Sequence, residues 1–299
     1  MFPLKEVRLI VPFGKDGATD ALARLVATRL AQRWGHEVVL EHHPGGGAVP
    51  GTLLAARASA DGYTLMIGSS STHSIAPALY GDLPYDPVAD FAPLSLLGWA
   101  PNLLLVPADG PDSVAALLDL ARARPGALTY ASAGYGQTIH LCAALLAELA
   151  GVELTHRPYP QGSMSGLQAL MDGEVALMCD NVLAALPYLH AGKVKALAVA
   201  GAMRCSALPQ LPTLDEAGVT GYSGDIWMGL FAPAATPSAI AAQLKSDIAT
   251  VLGHTDLVGE LDALGFMLDV KPGAEFAEEI LDNAAQWRAI LQLCQIGPA

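Results

Sequence analysis

The first strand of the chain and the turn that follows it lie in VRLIVPFGKDGATD, residues 7–20. The aliphatic run Val7–Val11 is typical of a buried strand. Leucines and valines then recur at intervals of three and four residues between 22 and 30, which predicts an amphipathic helix, and Gly35 is placed to end it. A strand, a turn of small residues and a helix together form the repeating unit of α/β proteins.

The same alternation continues along the chain. Further strands are predicted over 38–40, 63–67, 94–97, 103–106, 128–131, 155–158, 175–178, 194–200 and 226–231, and helices over 52–57, 113–124, 137–150, 167–171, 240–252, 257–264 and 276–293. This order predicts an α/β fold with mostly parallel, doubly wound sheets. Ligands of such sheets lie beyond the carboxyl ends of the strands, so the strand-to-helix turns are the candidate sites.

Composition limits the possible partners. The chain has 299 residues, which suggests two domains at about 150 residues each. Hydrophobic residues make up 52% and charged residues 15%, which excludes intrinsic disorder. The 16 basic and 29 acidic residues leave a net charge of −13, so nucleic acid and anionic lipid would repel the chain. No apolar stretch reaches the ~20 residues of a membrane span, and we expect no direct membrane insertion.

Signatures of catalysis and of cofactor binding are weak or missing in the sequence. Residues 162–166 resemble GxSxG but have Met164 at the nucleophile position, and no Walker A or GxGxxG motif occurs. His36 and Glu37 begin an HExxH pattern that lacks its second histidine. The cysteines are too far apart for a zinc site and are expected to be free thiols, with a disulfide left open for an exported protein: Cys142, Cys179, Cys205 and Cys294. We therefore expect no cofactor and no metal.

Two of the strand-to-helix turns offer polar groups, each with a structural alternative. In residues 12–20, small residues and free helix-start amides suit an anion, but Thr19 and Asp20 could instead cap the helix. In residues 68–74, five hydroxyl side chains surround His73. These hydroxyls could bind a carboxylate, a phosphate or water, or form a solvated loop.

The third turn, residues 131–140, is the strongest candidate. A strand ends, two glycines turn the chain, and a helix starts near Gln137. This arrangement directs main-chain N–H groups over Gly134–Thr138 and the positive helix end at an anion. Thr138 adds a hydroxyl, and His140 could face either the ligand or the core.

A series of short motifs runs in order along the chain. They are VRLIVPF (7–13), Gly17 with Thr19 and Asp20, PGGG (44–47), DGYTL (61–65), LPYDP (83–87) with Asp90 and Phe91, YASAG (130–134) with Gly136 and His140, PY (158–159), DN (180–181), AGK (191–193), LPT (211–213) and EAG (216–218). Over nearly the whole length this series resembles the Bug-type solute-binding proteins of tripartite tricarboxylate transporters.

The resemblance implies a two-lobed periplasmic-binding-protein fold of type II-like arrangement. Each lobe would have a mostly parallel sheet flanked by helices, and two hinge strands would join the lobes. Lobe one would comprise residues 1–103 and 227–299, and lobe two residues 104–226. The crossings would lie near Asn102–Val106 and Asp225–Phe231, and hinge motion would close the cleft around the ligand.

The resemblance also implies a small carboxylate ligand and a set of residues that contact it. One carboxylate would meet the helix start of lobe two, and the turn of lobe one would hold the other end, partly through water. The implied ligand-binding residues are Phe13, Gly14, Gly17, Ala18, Thr19, Ser70, Thr72, Ala133, Gly134, Gln137, Thr138, His140, Tyr159 and Asp180.

Three positions depart from the family pattern. Asp16 stands where a glycine is usual, and its carboxylate would repel a second acidic end unless Lys15 compensates. Pro160 and Gln161 follow Tyr159 where a basic residue is frequent, and Cys179 stands where an aromatic is common. These changes bear on the usual preference for dicarboxylates.

The expected function is therefore non-enzymatic capture of a carboxylate and its delivery to the membrane permease subunits of a tripartite tricarboxylate-type transporter, by a protein that is commonly monomeric. An enzyme acting on small acids and the ligand-sensing domain of a regulator are the alternatives. The beginning of the chain shows no signal-peptide pattern, which suits either a cytoplasmic protein or a sequence that starts at the mature end of an exported one. The resemblance favours the periplasm.

Overall fold

The computed structural model describes residues 2–298 as two β-sheets, each covered by helices. Met1 and Ala299, the ends of the predicted first lobe, lie outside the described residues. The strands are β1 (Val7–Val11), β2 (Val38–His42), β3 (Thr64–Ser69), β4 (Phe91–Ala100), β5 (Asn102–Pro107), β6 (Thr129–Ser132), β7 (Thr155–Pro158), β8 (Leu177–Asn181), β9 (Val194–Ala200), β10 (Ile226–Pro233) and β11 (Met267–Pro272). The helices are α1 (Ala18–Trp34), α2 (Val49–Ala56), α3 (Ala76–Leu79), α4 (Val114–Ala123), α5 (Thr138–Ala150), α6 (Ser163–Met171), α7 (Val182–His190), α8 (Ser238–Leu252), α9 (Thr255–Ala263) and α10 (Gly273–Leu293).

The opening strand and helix form as the sequence predicts. β1 is buried on both faces, and α1 packs Leu22, Val26 and Leu30 against the same core. Each such side chain stabilises the fold by roughly 1.5–3 kcal/mol when fully buried. Gly35 ends α1 in a left-handed conformation, with φ of 69°, which a side chain would disfavour.

The sheet of the first lobe has the order β11-β4-β10-β3-β1-β2. β1 pairs in parallel with β2 and β3, whereas β10 runs antiparallel to β3 and β4, and β11 antiparallel to β4. The predicted α/β fold is confirmed, but the expectation of a mostly parallel sheet is wrong. The reason is that β4 leaves for the second lobe and β10 returns from it, so neither belongs to a strand-helix-strand unit that would impose a parallel direction.

The sheet of the second lobe has the order β7-β6-β8-β5-β9 and is mixed for the same reason. β6 pairs in parallel with β7 and β8, and β5, which arrives from the first lobe, runs antiparallel to β8 and β9. The carboxyl ends of β6 and β8 therefore lie side by side at one edge of this sheet.

The chain crosses between the sheets at two places. The first crossing is at Pro101, because all of β5 pairs within the second sheet. The second lies between Ala200 and Ile226. Pro101 adjoins the crossing expected near Asn102–Val106, and β10 belongs wholly to the first sheet. The lobe bounds of 103/104 and 226/227 stay a prediction. They lie within a few residues of these crossings.

Helix α10 joins the two lobes a third time. Near its start, Phe276 and Ile280 pack into an aromatic cluster of the first lobe with Phe231. Near its end, Trp287 and Leu291 pack into the core of the second lobe. The resemblance assigned the C-terminal helices to lobe one alone, whereas α10 is buried in both.

The four cysteines are free thiols, three of them buried and Cys294 half-buried. This confirms the expectation of free thiols and leaves no disulfide among them. Burial raises the pKa of Cys142 to about 11, so its thiolate, the reactive form, is disfavoured.

Candidate ligand-binding cleft

A cleft lies between the two sheets, beyond the carboxyl ends of β1, β6 and β8. It holds about 680 Å³ of space outside protein atoms, part of it open to solvent. The first lobe lines it with residues 12–15 and 17–19, Pro44, Gly45, Ser69, Ser71, Ile226 and Met228, and the second lobe with Asn102, Ala133, residues 137–139, Pro160, Gly162, Ser163, Asp180 and Asn181. Ligands of α/β sheets bind at such an edge.

The structure brings most of the predicted site residues to this cleft. Those that line it are Phe13, Gly14, Gly17, Ala18, Thr19, Ala133, Gln137, Thr138 and Asp180. Those that do not line it are Ser70, Thr72, Gly134, His140 and Tyr159. As ligand contacts these five residues stay a prediction, and the bonds that they make in the structure are given below.

The helix start of the second lobe provides the donors of the cleft. The N–H of Thr138 donates to Ser71 Oγ of the first lobe over 3.3 Å. The hydrogen bonds of residues 2–298 include none from the main-chain N–H of Ala133, Gln137 or Ile139, all of which line the cleft. Since the first N–H groups of a helix have no partner within it, this end of α5 is suited to an anion.

Two of the N–H groups that the sequence assigned to the ligand are used internally. Gly134 donates its N–H to Ser132 Oγ and Gly136 donates its N–H to His140 Nδ1, both over 3.1 Å. The φ angles of these glycines are 136° and 71°, values that only glycine adopts without strain. Gly134 and Gly136 therefore shape the turn, and its free donors lie on either side of them.

Two histidines lie behind this turn. The rings of His140 and His156 stack with centroids 4.0 Å apart, and His156 Nε2 is 2.6 Å from Ser132 Oγ. Burial, with His156 alongside, lowers the pKa of His140 to about 3, so its Nδ1 stays an acceptor for the N–H of Gly136. His156 comes from β7, 24 residues after Ser132, and no local pattern in the sequence indicated it.

Ser70 and Thr72 act within the first lobe. Ser70 Oγ accepts the N–H of Trp227, which ties the end of β3 to β10. Thr72 Oγ1 accepts the N–H of Ser69 and donates to its carbonyl oxygen. Both hydroxyls are fully buried and hold a π-helical turn over Ser71–Ile75. This π-helical turn places Ser71 in the lining of the cleft. The sequence did not single out Ser71.

Tyr159 lies at the edge of the second lobe. Its main-chain N–H donates to the carbonyl oxygen of Ser132, and the guanidinium of Arg157 lies 5.4 Å from its ring centre. Its ring packs against hydrophobic residues of the core, and its hydroxyl is buried with no hydrogen-bond partner among residues 2–298.

A buried carboxylate organises the turn of the first lobe. Asp20 accepts hydrogen bonds from the N–H of Asp16 and from Arg24, and it lies 2.6 Å from His42 Nε2. Burial alone would raise the pKa of Asp20, but its partners outweigh burial and hold that pKa below its ordinary value. Helix α1 begins after Gly17 with no side-chain cap, so the capping alternative does not describe Thr19, which lines the cleft.

Asp16 and Lys15 have different positions in this turn. Asp16 has a left-handed φ of 63°, which explains why glycine suits the position, and its exposed side chain does not line the cleft. The repulsion expected from Asp16 is therefore not built into the cleft wall. Lys15 does line the cleft. Among the described residues, it and Asp180 are the two lining side chains that can carry a charge.

The lobes touch at the cleft mouth. A Cβ atom placed on Gly14 would come within 2.8 Å of the carbonyl oxygen of Gln161, and one on Gly17 within 3.4 Å of Ser163 Oγ. Glycines on the first lobe thus allow the loop 160–163 of the second to approach. The lobes are thus in contact on one side of the cleft, as in a closed form, while part of the cleft stays open to solvent.

Comparison with known proteins agrees with this geometry. The sequence model of the tripartite tricarboxylate transporter family receptor, TctC, matches residues 22–296. The chain belongs to that receptor family. It is 30% identical to Protein BugT of Bordetella pertussis over 97% of this chain and 90% of that protein, which confirms the Bug-type resemblance.

Two solved structures of similar proteins contain small acids. Rpa4515 of R. palustris with adipate is 36% identical, covers 100% of both chains and has a TM-score of 0.97. MatC of Rhodopseudomonas palustris with bound malate is 34% identical, covers 97% of this chain and 100% of its own, and has a TM-score of 0.90. The two-lobed fold and the solute-binding role of this receptor-family chain follow from these likenesses.

Across the described part of the receptor-family chain, no helix is long and apolar enough to cross a membrane, and no group of three or more metal-ligating side chains converges.

His73 is buried beside the cleft, and it should make the free energy of unfolding of this TctC-family chain depend on pH. Its ring stacks on Phe231 with centroids 4.0 Å apart, and burial lowers its pKa to about 3. In the unfolded chain the histidine pKa is near 6.5. Between these two pKa values the unfolded chain therefore binds one proton more than the folded protein does, and the free energy of unfolding falls as the pH falls. Urea unfolding should show that the wild type loses about 1.4 kcal/mol more between pH 7.5 and 5.5 than His73→Asn does.

The exposed His254 offers the control for this measurement. His254→Asn should show the pH dependence of the wild type. Equal pH dependence of wild type and His73→Asn would mean that His73 can accept a proton in the folded protein.

Proposed function

We propose that this chain is a periplasmic, non-enzymatic receptor that closes its two lobes around a small carboxylate and delivers it to the membrane permease of a tripartite tricarboxylate-type transporter. The contacts would come from the lining residues of the turn 12–19 and of the helix start 133–139, with Asp180 at the floor. Rpa4515 and MatC, similar over almost their whole length, hold adipate and malate, and their ligands support a carboxylate here.

The observation that carries this proposal is the group of N–H donors at the start of α5. Ala133, Gln137 and Ile139 line the cleft between the lobes, and the described residues supply their main-chain N–H groups with no acceptor. A carboxylate brings four lone-pair sites to such donors. Charge-assisted hydrogen bonds of this kind are stronger than neutral ones, more so away from water.

The charge of the chain explains why these donors have to be local. At −13 the protein does not attract an anion over long distances. Uncharged N–H and hydroxyl donors then hold a carboxylate without the bidentate grip of an arginine, which favours release. Lys15 lies on the opposite wall and would attract a second acidic group at the mouth.

Delivery follows from the same geometry. The closed lobes meet at Gly14 and Gln161, and separation there would open the cleft. A permease that prefers the open form would promote release, since a partner shifts a conformational equilibrium by its difference in affinity for the two states.

Binding can be tested by thermal unfolding with linear mono- and dicarboxylates of two to eight carbons, each compared with its neutral amide. An acid present at 100 times its Kd stabilises the folded protein by about 2.7 kcal/mol. For a chain of this size we expect a rise in Tm of about 5 °C. The matched amide should leave the Tm unchanged, because it lacks the charge that the helix start requires.

Ser71→Ala is a useful variant in the same assay, since it frees the N–H of Thr138 from its 3.3 Å partner. Its carboxylate affinity should be equal or higher. Equal shifts with acids and amides, or chemical conversion of the added acids, would contradict the proposed function.

A further inference from the structure

The cleft contains a buried carboxyl group that no cation accompanies. Asp180 lies near the end of β8, is 1% exposed and lines the cleft. Its Oδ1 accepts the N–H of Asn181 over 2.8 Å, whereas Oδ2 is buried and has no hydrogen-bond partner among residues 2–298. In that part of the chain no arginine or histidine lines the cleft, and Lys15 is exposed on the turn of the opposite lobe. An ionised Asp180 would be a buried charge without a paired cation, which is strongly disfavoured.

The N–H donors of the cleft belong to elements that adjoin Asp180. Strand β6, which leads to Ala133, lies beside β8 in the sheet, and α5 packs against β8. The cleft holds about 680 Å³, so an acid that fills it comes within a Debye length of Asp180, about 10 Å at 0.1 M salt. Two carboxylates that share a site repel each other, and one of them then binds a proton. Because the N–H donors stabilise the charge of the ligand, the group expected to take the proton is Asp180.

The titratable side chains around Asp180 are mostly neutral. Burial raises the pKa of Asp180 itself to about 7. Of the elements that pack against β8, β5 and α6 have no titratable side chain. Burial raises the pKa values of Cys179 and Tyr130, raises that of Cys142 to about 11 and lowers that of His140 to about 3, so all four are uncharged at pH 7. The other titratable side chains of the adjoining helices and of the facing turn are exposed or half-buried: Lys15, Asp16, Glu148, Tyr188 and His190.

We propose that Asp180 takes up one proton from water when an acid binds, and that its Oδ2–H then donates a hydrogen bond to the ligand. Oδ2 gains the partner that it lacks, and the cleft closes on one negative charge fewer. On release of the acid the proton returns to the solvent. This inference rests on the proposed function, since it assumes that an acid occupies the cleft, and it adds that the affinity of the receptor falls as the pH rises.

Calorimetry with adipate, which is fully ionised above pH 7, counts the protons directly. Heats of binding to the full chain at pH 8, measured in HEPES and in Tris, differ by the ionisation enthalpy of the buffer for each proton taken up. The wild type should take up about 0.5 proton or more per adipate bound, because Asp180 is mostly ionised at this pH in the empty cleft and mostly protonated beside the acid. For the same reason its Kd should rise at least fivefold between pH 7 and 8.5.

Two variants assign the proton to Asp180. The amide of Asp180→Asn has the shape of the protonated carboxyl, keeps an acceptor for the N–H of Asn181 and donates to the ligand without ionising. Its Kd should lie within threefold of the wild type at pH 6.5 and at least fivefold below the wild type at pH 8.5, with no proton uptake. Asp225→Asn is the matched control, because burial also raises the pKa of Asp225 but this residue does not line the cleft. It should take up as many protons as the wild type.

The outcomes separate this inference from the proposed function. Adipate that binds without proton uptake, at a Kd that is constant from pH 7 to 8.5, would overturn the inference and leave the proposed function intact. Proton uptake that persists in Asp180→Asn, or a loss of affinity in that variant at pH 8.5, would also overturn it. If Asp180→Asn does not fold, Asp180→Ser, which keeps a hydroxyl donor, takes its place. If adipate does not bind, the linear acid that raises the Tm most is measured instead, and if none of the acids binds, the inference and the proposed function both fail.

Discussion

Gly14→Val should weaken carboxylate binding by at least tenfold and leave the fold intact. Gly14 lies at the mouth of the cleft on the first lobe, and a Cβ atom there would meet the carbonyl oxygen of Gln161 on the second lobe at 2.8 Å. Main-chain atoms cannot rotate away as a side chain can, so closure requires the loop 160–163 to shift. The apparent Kd rises as the closed form becomes rarer, and a loss of 1.4 kcal/mol is already tenfold.

Gly81→Val is the matched control. Gly81 also belongs to the first lobe, and neither glycine has a left-handed φ, but a Cβ on Gly81 would meet nothing within 4 Å. The carboxylate affinity of Gly81→Val should stay within twofold of that of the wild type. Small-angle scattering should show compaction on ligand addition for the control and none for Gly14→Val. A Gly14→Val protein with wild-type affinity would show that the ligand binds without this contact.

The parts of the fold and of the cleft that the sequence predicted are those specified by neighbouring residues. The strand Val7–Val11 is an almost continuous apolar run, whereas the apolar residues of the helix after it recur every three to four residues. Gly35 marks the end of that helix. The glycines around Gln137 likewise signal a strand-to-helix turn. Because parallel strands end at one edge of a sheet, such turns could be placed at the cleft before their partners were known.

The parts that escaped prediction depend on distant residues or on weak local patterns. Helix α7 contains Pro187, which usually breaks a helix, and β11 is a half-exposed edge strand without regular alternation. His156 supports the ligand turn only because β7 pairs with β6. Asn102 faces the cleft because the chain crosses between the lobes at the residue before it.

Side-chain direction was the other limit. The hydroxyls of Ser70 and Thr72 stand in the predicted turn, yet they point into the first lobe, and Ser71 between them faces the cleft. The π-helical turn over Ser71–Ile75 sets these directions. Since π-helical turns are rare and have no clear sequence pattern, a run of hydroxyl residues predicts a polar turn but not which of its members reaches the ligand.

Trp287→Ala should destabilise the protein by about 3–5 kcal/mol, a fall in Tm of roughly 5–9 °C. Trp287 is fully buried where α10 enters the core of the second lobe, while Phe276 holds the start of the same helix in the first. Its removal leaves a large cavity where α10, which also packs in the first lobe, enters the second. Urea unfolding, followed by far-ultraviolet circular dichroism, measures the loss.

Trp287→Phe is the informative comparison, because the indole Nε1 is buried with no acceptor in the part of the chain that the structure describes. Phenylalanine keeps most of the apolar volume and removes that unpaired donor, whose burial costs about 1–3 kcal/mol. The two effects oppose each other, so we expect Trp287→Phe to lie within about 1.5 kcal/mol of the wild type. If Trp287→Phe lost as much stability as Trp287→Ala, Nε1 would have a partner, such as a buried water. If Trp287→Ala lost less than 1 kcal/mol of stability, the end of α10 would not be packed in the second lobe. In the expected case, the cavity and not the lost hydrogen-bond donor accounts for the destabilisation of Trp287→Ala. Helix α10 then couples the stability of the two lobes, which have to move relative to each other when a ligand binds.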